Sequence, residues 1–216
     1  MTTIVPNDLT CTFCGNSSRH DLLGSTNSYG RPDLDTRPPE MTRSTMPLWV
    51  QECPHCGYVA KDISQPPHDS ARLYCGEGGW RGISYSGYPE LAVRFLKLAD
   101  LQEAVGHSLE AAWSALRAAW ACDDANENER AIACRQRAIG YFSRTVGQVR
   151  MFPQEPGAME ALFADIHRRA GDFDGAVHWV DSGVEQYPDS AISAVLYFQR
   201  AKAILRDAAR YTGEDV

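Results

Sequence analysis

The sequence predicts a chain in two parts: a small β/loop module over residues 1–88, then an all-α domain over residues 89–216. Three observations carry this. Nine of the 12 prolines lie in residues 1–90, whereas 24 of the 26 alanines lie beyond them. Proline lacks an amide proton and breaks helix interiors, and alanine is the best helix former, so the first part is loops and short strands and the second is helical. Five of the seven cysteines also fall in the first part, four of them as two C-x-x-C pairs.

Composition bounds what such a chain can do. With 44% hydrophobic and 23% charged residues among 216, it is globular rather than disordered. The net charge of −7 is shared by both parts and no basic arm stands out. A partner held mainly through phosphate contacts, nucleic acid above all, is therefore not expected. No run of about 18 apolar residues is present, so no membrane span is expected. Met1 to Thr10 has neither a basic patch nor an apolar segment, so no signal peptide is expected and the predicted location is cytoplasmic.

The cysteine pairs are Cys11-Thr12-Phe13-Cys14-Gly15 and Cys53-Pro54-His55-Cys56-Gly57. Two intervening residues let a tight turn aim both sulfurs at one ion, and the following glycine supplies a positive φ. Two such turns brought together make a four-sulfur tetrahedral cage. Cys11, Cys14, Cys53 and Cys56 are thus the predicted metal ligands of a zinc-ribbon-like module, with Leu48–Glu52 and Tyr58–Ala60 as hairpin strands around the second turn. Rubredoxin resembles this pattern too, with iron in the same cage; zinc is favoured because nothing else in the chain suggests electron transfer. A closed four-thiolate site is structural, standing in for a hydrophobic core that a Pro/Gly-rich segment lacks. His20, His55 and His68 are read as ordinary surface histidines rather than ligands. Cys75, in Tyr74-Cys75-Gly76-Glu77-Gly78-Gly79-Trp80, has no close partner in sequence and is read as a packed or idle thiol, with a fifth ligand or a nucleophile as the alternatives.

The long insert between the pairs carries Arg31-Pro32-Asp33-Leu34-Asp35-Thr36-Arg37-Pro38-Pro39. In an extended chain Asp33, Asp35 and Arg37 share one side. They form either a small binding loop, for a cation or an anion, or an internal salt-bridged turn that pins the loop to the ribbon. The second reading is favoured, although loops this long in compact modules usually carry function.

The second part reads as six helices in stacked pairs. Residues 158–191 resemble a tetratricopeptide repeat: Ala164 at the close approach of the first helix, Ala170-Gly171-Asp172-Phe173 as the turn, Ala176 early in the second helix, and Pro188 at the end. A looser copy has Phe95, Leu98 and Ala99, a turn at Gly106, then Ala111, Ala115 and Ala118. Glu127 to Val149 reads as one longer helix buried through Ile132, Ile139, Phe142, Val146 and Val149. A closing helix covers Ala191 to Tyr211. Most of the aromatic residues are read as core, and Arg135, Arg137, Arg168 and Arg169 as solvated faces.

Taken together, the early C-x-x-C-G, the Asp-Leu-Asp-Thr-Arg-Pro-Pro loop and Cys53-Pro54-His55-Cys56-Gly57-Tyr58-Val59-Ala60 resemble an uncharacterised bacterial family of unknown function. It joins an N-terminal cysteine-rich module to tetratricopeptide-like helices. The first turn departs from it, with Thr12 where proline is commoner. The resemblance implies the architecture and no activity. The function expected is a zinc-stabilised scaffold that binds a protein or peptide through its helices. An enzyme using the metal or Cys75, or an iron redox protein, is the alternative. No H-E-x-x-H or G-x-S-x-G motif supports catalysis.

Overall fold

In a computed structural model, residues 1–65, 85–145 and 155–216 are described. Strands β1 (Thr3–Thr10) and β2 (Ser17–Ser25) pair antiparallel, with Asn7 opposite His20. A 3₁₀ helix over Arg43–Leu48 leads into two-residue strands β3 (Gln51–Glu52) and β4 (Val59–Ala60), also antiparallel. Among the described residues six α-helices follow: α1 (Glu90–Ala104), α2 (Ser108–Asp124), α3 (Asn128–Phe142), α4 (Ala158–Arg169), α5 (Phe173–Gln186) and α6 (Ser193–Ile204).

The β1–β2 hairpin exposes both faces along most of its length, so it has almost no apolar alternation to announce it. The second hairpin is shorter than its sequence suggests. Leu48 closes the 3₁₀ helix, where Pro47 removes a ladder donor, and pairing begins only at Gln51.

The helices pack as successive hairpins. Phe95 and Ala99 on α1 and Ala111, Ala115 and Ala118 on α2 are fully buried, as the spacing predicts. Gly106, at φ 82, makes the turn between them. The α4–α5 turn follows the expected chemistry. Gly171 takes φ 80, and the Asp172 carboxylate accepts from the Gly175 amide at 3.0 Å to cap α5. Gly183 lets α5 press between its neighbours. A Cβ there would meet Glu160 Cβ at 2.9 Å and Leu196 Cδ1 at 3.0 Å.

Three sequence expectations need correction. The helix expected over Glu127 to Val149 ends at Phe142, with residues 143–145 in a turn, and its buried stripe is Ala131, Cys134, Arg135, Ala138, Tyr141 and Phe142, with Ile132 and Ile139 half-buried. Val146 and Val149 lie outside the described residues. The last helix stops at Ile204, where Arg206 at φ 53 turns the chain, leaving Ile204 and Leu205 exposed at 61% and 74%. Arg135, Arg168 and Arg169 are buried rather than solvated.

The cysteine-rich part and the helices share interior. Met46, Val50 and Val59 join Phe95, Leu96, Leu116 and Phe142 in the main core. The insert between β2 and the 3₁₀ helix lies across the helical part. The Leu34 amide donates to the Tyr211 carbonyl at 2.9 Å, and the Gly213 amide donates to the Pro32 carbonyl at 3.1 Å. Among the described residues no helix is long and apolar enough to cross a membrane.

Candidate metal centre

Each cysteine pair forms the loop of a hairpin. Between β1 and β2, the Cys11 amide donates to the Asn16 carbonyl at 2.9 Å and the Gly15 amide to the Cys11 carbonyl at 2.8 Å. Between β3 and β4 the same two bonds recur, from the Cys53 amide to Tyr58 and from the Gly57 amide to Cys53, both at 2.8 Å. Gly15 and Gly57 sit at φ 74 and 76, a region that costs an L-residue strain. A Cβ on Gly15 would meet nothing within 4 Å, so the backbone angle, and not space, requires glycine there.

The two turns face each other. The four Sγ atoms of Cys11, Cys14, Cys53 and Cys56 all lie within 4.8 Å of one another. Cys11 and Cys56 are 3.9 Å apart, and Cys14 and Cys53 are 3.7 Å apart. A tetrahedron with metal–sulfur bonds of about 2.3 Å has edges of about 3.8 Å, and the observed pairs match it. A disulfide would need about 2.05 Å, so these are thiols rather than cystines.

Electrostatics points the same way. Burial pushes the Cys11 and Cys56 thiols up, whereas the Asn16 backbone amide draws Cys14 down to about 6. Four thiolates so close repel one another strongly, and only a bound cation lets all four ionise together. The arrangement can therefore hold a metal in a closed, four-coordinate site.

The cage is braced by packing. Cys11, Cys53, Tyr58, Ile63 and Leu101 form a small buried cluster, with Val105, just past the end of α1, against it. Phe13 and Tyr58 stack at 5.9 Å between centroids, and the Thr12 amide donates to the Ile63 carbonyl at 2.9 Å. Lys97 on α1 pairs with Glu52 of β3. The site is thus tied to the first helix as well as to its own strands.

Of the other sequence candidates, His55 is exposed in the second turn and His20 sits on β2, bonded to Ser18 at 2.9 Å; among the described residues neither joins the cysteine cluster. His68 and Cys75 lie outside the described residues. Asp33, Asp35 and Arg37 are all buried, and their loop is turned rather than extended: the Asp33 amide donates to the Arg37 carbonyl at 2.9 Å and the Thr36 amide to the Asp33 carbonyl at 2.8 Å. Asp33 accepts from Arg43 at 2.5 Å. Asp35 accepts from Trp120 Nε1 at 2.8 Å and from Arg169 at 2.7 Å. The Arg37 guanidinium pairs with Asp124 at the end of α2. The loop is pinned by ion pairs, as its charge pattern suggests: Asp33 is held by Arg43 within the N-terminal part, while Asp35 and Arg37 are anchored in the helical part.

Sequence reasoning missed the carboxylate that organises this network. Asp123 accepts from Arg135 at 2.5 Å and from Arg169 at 2.7 Å, bridging α2, α3 and α4. Burial works against ionisation of Asp123, and the two guanidinium groups outweigh it, so its pKa is lowered. Arg169 is likewise disfavoured by burial, but Asp35, Asp123 and Asp165 raise its pKa. A usable signal was present: Arg135 lies one turn from Ala131 and Ala138, within a stripe of small buried residues. Comparison of the chain with family models, with curated proteins and with solved structures gives no match.

Proposed function

We propose that this protein is a zinc-stabilised binding scaffold, in which a structural four-cysteine site fixes the N-terminal module against a helical domain that engages a protein or peptide. The observation that carries the metal half is the cage itself: two turns of the same geometry hold four sulfurs at spacings matching tetrahedral zinc–thiolate edges. A closed set of four sulfurs leaves no coordination position for substrate or water, which favours a structural over a hydrolytic role. Zinc is preferred over iron on the same ground as in the sequence, since nothing else in it suggests electron transfer.

The binding half is supported by the helical stack and its last member. Stacked helix pairs leave an extended surface, and terminal helices of such stacks are ordinarily polar on the outside. Here α6 and the turn after it leave Tyr197, Ile204 and Leu205 exposed. The test has two readouts. Purified full-length protein should contain about one zinc per chain, and Cys56→Ser should lose it while keeping most of the helical circular dichroism. Partner capture should then depend on the α6 surface: Tyr197→Glu with Leu205→Glu should abolish it without lowering thermal stability. Capture that survives this double substitution would refute the scaffold reading.

A further inference from the structure

A cleft of about 610 Å³ opens where the loop after β2 meets the end of α2, the start of α3 and the C-terminal segment. Its size is that of a small-molecule site. Four arginines line it, Arg37, Arg135, Arg169 and Arg210, against two carboxylates, Asp123 and Asp124. In a chain of net charge −7 this local excess of cations is unusual.

The arginines are not equivalent. Arg169 uses both terminal nitrogens on Asp35 and Asp123, and Arg135 spends both on Asp123. They build the wall. Arg37 differs: its side chain is only 1% exposed, and its Nε and Nη1 have no partner among the described residues. A guanidinium can only donate, and a buried donor without an acceptor is costly, so Arg37 holds unspent capacity for an oxygen ligand. Among the described residues its one side-chain partner is Asp124, whose side chain is 56% exposed at the cleft edge. Asp124 holds only Nη2, so the Nε and Nη1 donors remain for a ligand beside it.

Two further features favour an anion. The first turn of α3 enters the cleft through Asn128, and no side chain caps that helix N-terminus. Its first-turn amides and positive dipole end suit a negative group, against the opposing charge of Glu129 in the same turn. Arg210, half-exposed, stands on the C-terminal segment beside Ala208 and Ala209, where it lines the cleft from the rim.

We propose that this cleft binds a small oxyanion, a phosphate or carboxylate group, on the unpaired N–H groups of Arg37, with Arg210 closing over it from the rim. Asp124, held on Nη2, stays beside the ligand, and its negative charge opposes binding. The site does not depend on the metal, and its failure would leave the four-cysteine cage untouched.

The test is an NMR titration of the ¹⁵N-labelled full-length, metal-loaded protein at constant ionic strength, with inorganic phosphate in one arm and succinate in the other. Saturable shifts should appear at Ala131, Ile132, Ala208 and Ala209, with a midpoint of about 1 mM or tighter in at least one arm. The tighter arm names the ligand group. Asp124→Asn should tighten binding by about threefold or more by removing a negative charge beside the ligand, and Arg210→Gln should weaken it by a similar factor. Arg37→Gln should abolish it. Should Arg37→Gln fail to fold, the two exposed substitutions still decide. Absence of saturable shifts in both arms, or unchanged affinity in Asp124→Asn and Arg210→Gln, would overturn the proposal.

Discussion

Replacing Asp35 by alanine should be among the most damaging single changes in the chain, although Asp35 lies in a loop. Its carboxylate is fully buried and accepts from Trp120 Nε1 at 2.8 Å, Arg169 Nη1 at 2.7 Å and the Arg37 amide at 3.2 Å, with Arg135 at 3.9 Å. Alanine leaves a buried indole N–H and one arm of a buried guanidinium without an acceptor. Stranding one member of a buried ion pair costs about 3–5 kcal/mol, and an unsatisfied neutral donor costs about 1–3 kcal/mol. Asp123 still neutralises Arg169 in part, so a loss of about 4 kcal/mol is expected rather than the sum. With a urea m-value of about 3 kcal/mol per molar for a chain of this size, the midpoint should fall by about 1.3 M. Urea unfolding followed by tryptophan fluorescence measures it. The double variant Asp35→Ala, Arg169→Met should lose clearly less than the two single losses added together, because the stranded cation has gone with its partner. A fall below about 0.3 M, or strict additivity in the double variant, would refute the idea that this ion network clamps the loop to the helices.

Three other outcomes follow from the same contacts. The lowered pKa of Asp123 means that its contribution to stability is complete above the ordinary aspartate value of about 3.9 and is lost as the pH falls through its lower folded value. The stability gap between the native protein and Asp123→Asn should therefore shrink only below about pH 4, and a gap that widens on acidification would contradict this. Gly15→Ala should cost about 1 kcal/mol in thermal unfolding, since φ 74 penalises any Cβ while space does not, and Gly15→Asn should cost less. Gly183→Ala places a methyl 2.9 Å from Glu160 Cβ, so crowding outweighs the gain in helix propensity and the urea midpoint should fall, by about 1 kcal/mol of stability.

What the sequence discloses follows from the range of the interactions involved. The two cysteine turns and the α4–α5 turn are legible because their chemistry is local. A ligand pair spans four residues, and Gly171 and Asp172 end one helix and start the next within adjacent positions. The β1–β2 hairpin is not legible, because both of its faces meet water and its register is held at one end by the cysteine turn. The loop network is opaque for another reason. Asp35 finds Trp120 and Arg169 at separations of 85 and 134 residues, and no local pattern encodes such pairing. Reading Arg135, Arg168 and Arg169 as solvated follows the usual exposure of arginine. It fails here because acidic residues from the loop and from α2 and α4 bury with them. Arg168, for instance, donates to Asp165 at 2.5 Å and to the carbonyls of Asp207 and Ala209, tying down the C-terminal segment.

The cage also anchors the first hairpin, beside the packing of Leu9 on the buried cysteine cluster and of β2 on the 3₁₀ helix. A two-stranded ribbon is marginal alone in water, and β1–β2 is held where Cys11 and Cys14 meet Cys53 and Cys56. The most direct measurement is elemental analysis of the purified full-length protein beside its Cys53→Ser and Cys56→Ser variants. About one zinc atom per chain, lost in both variants, is the predicted result. Protein that is folded yet free of metal, or that carries these four cysteines as disulfides, would contradict it.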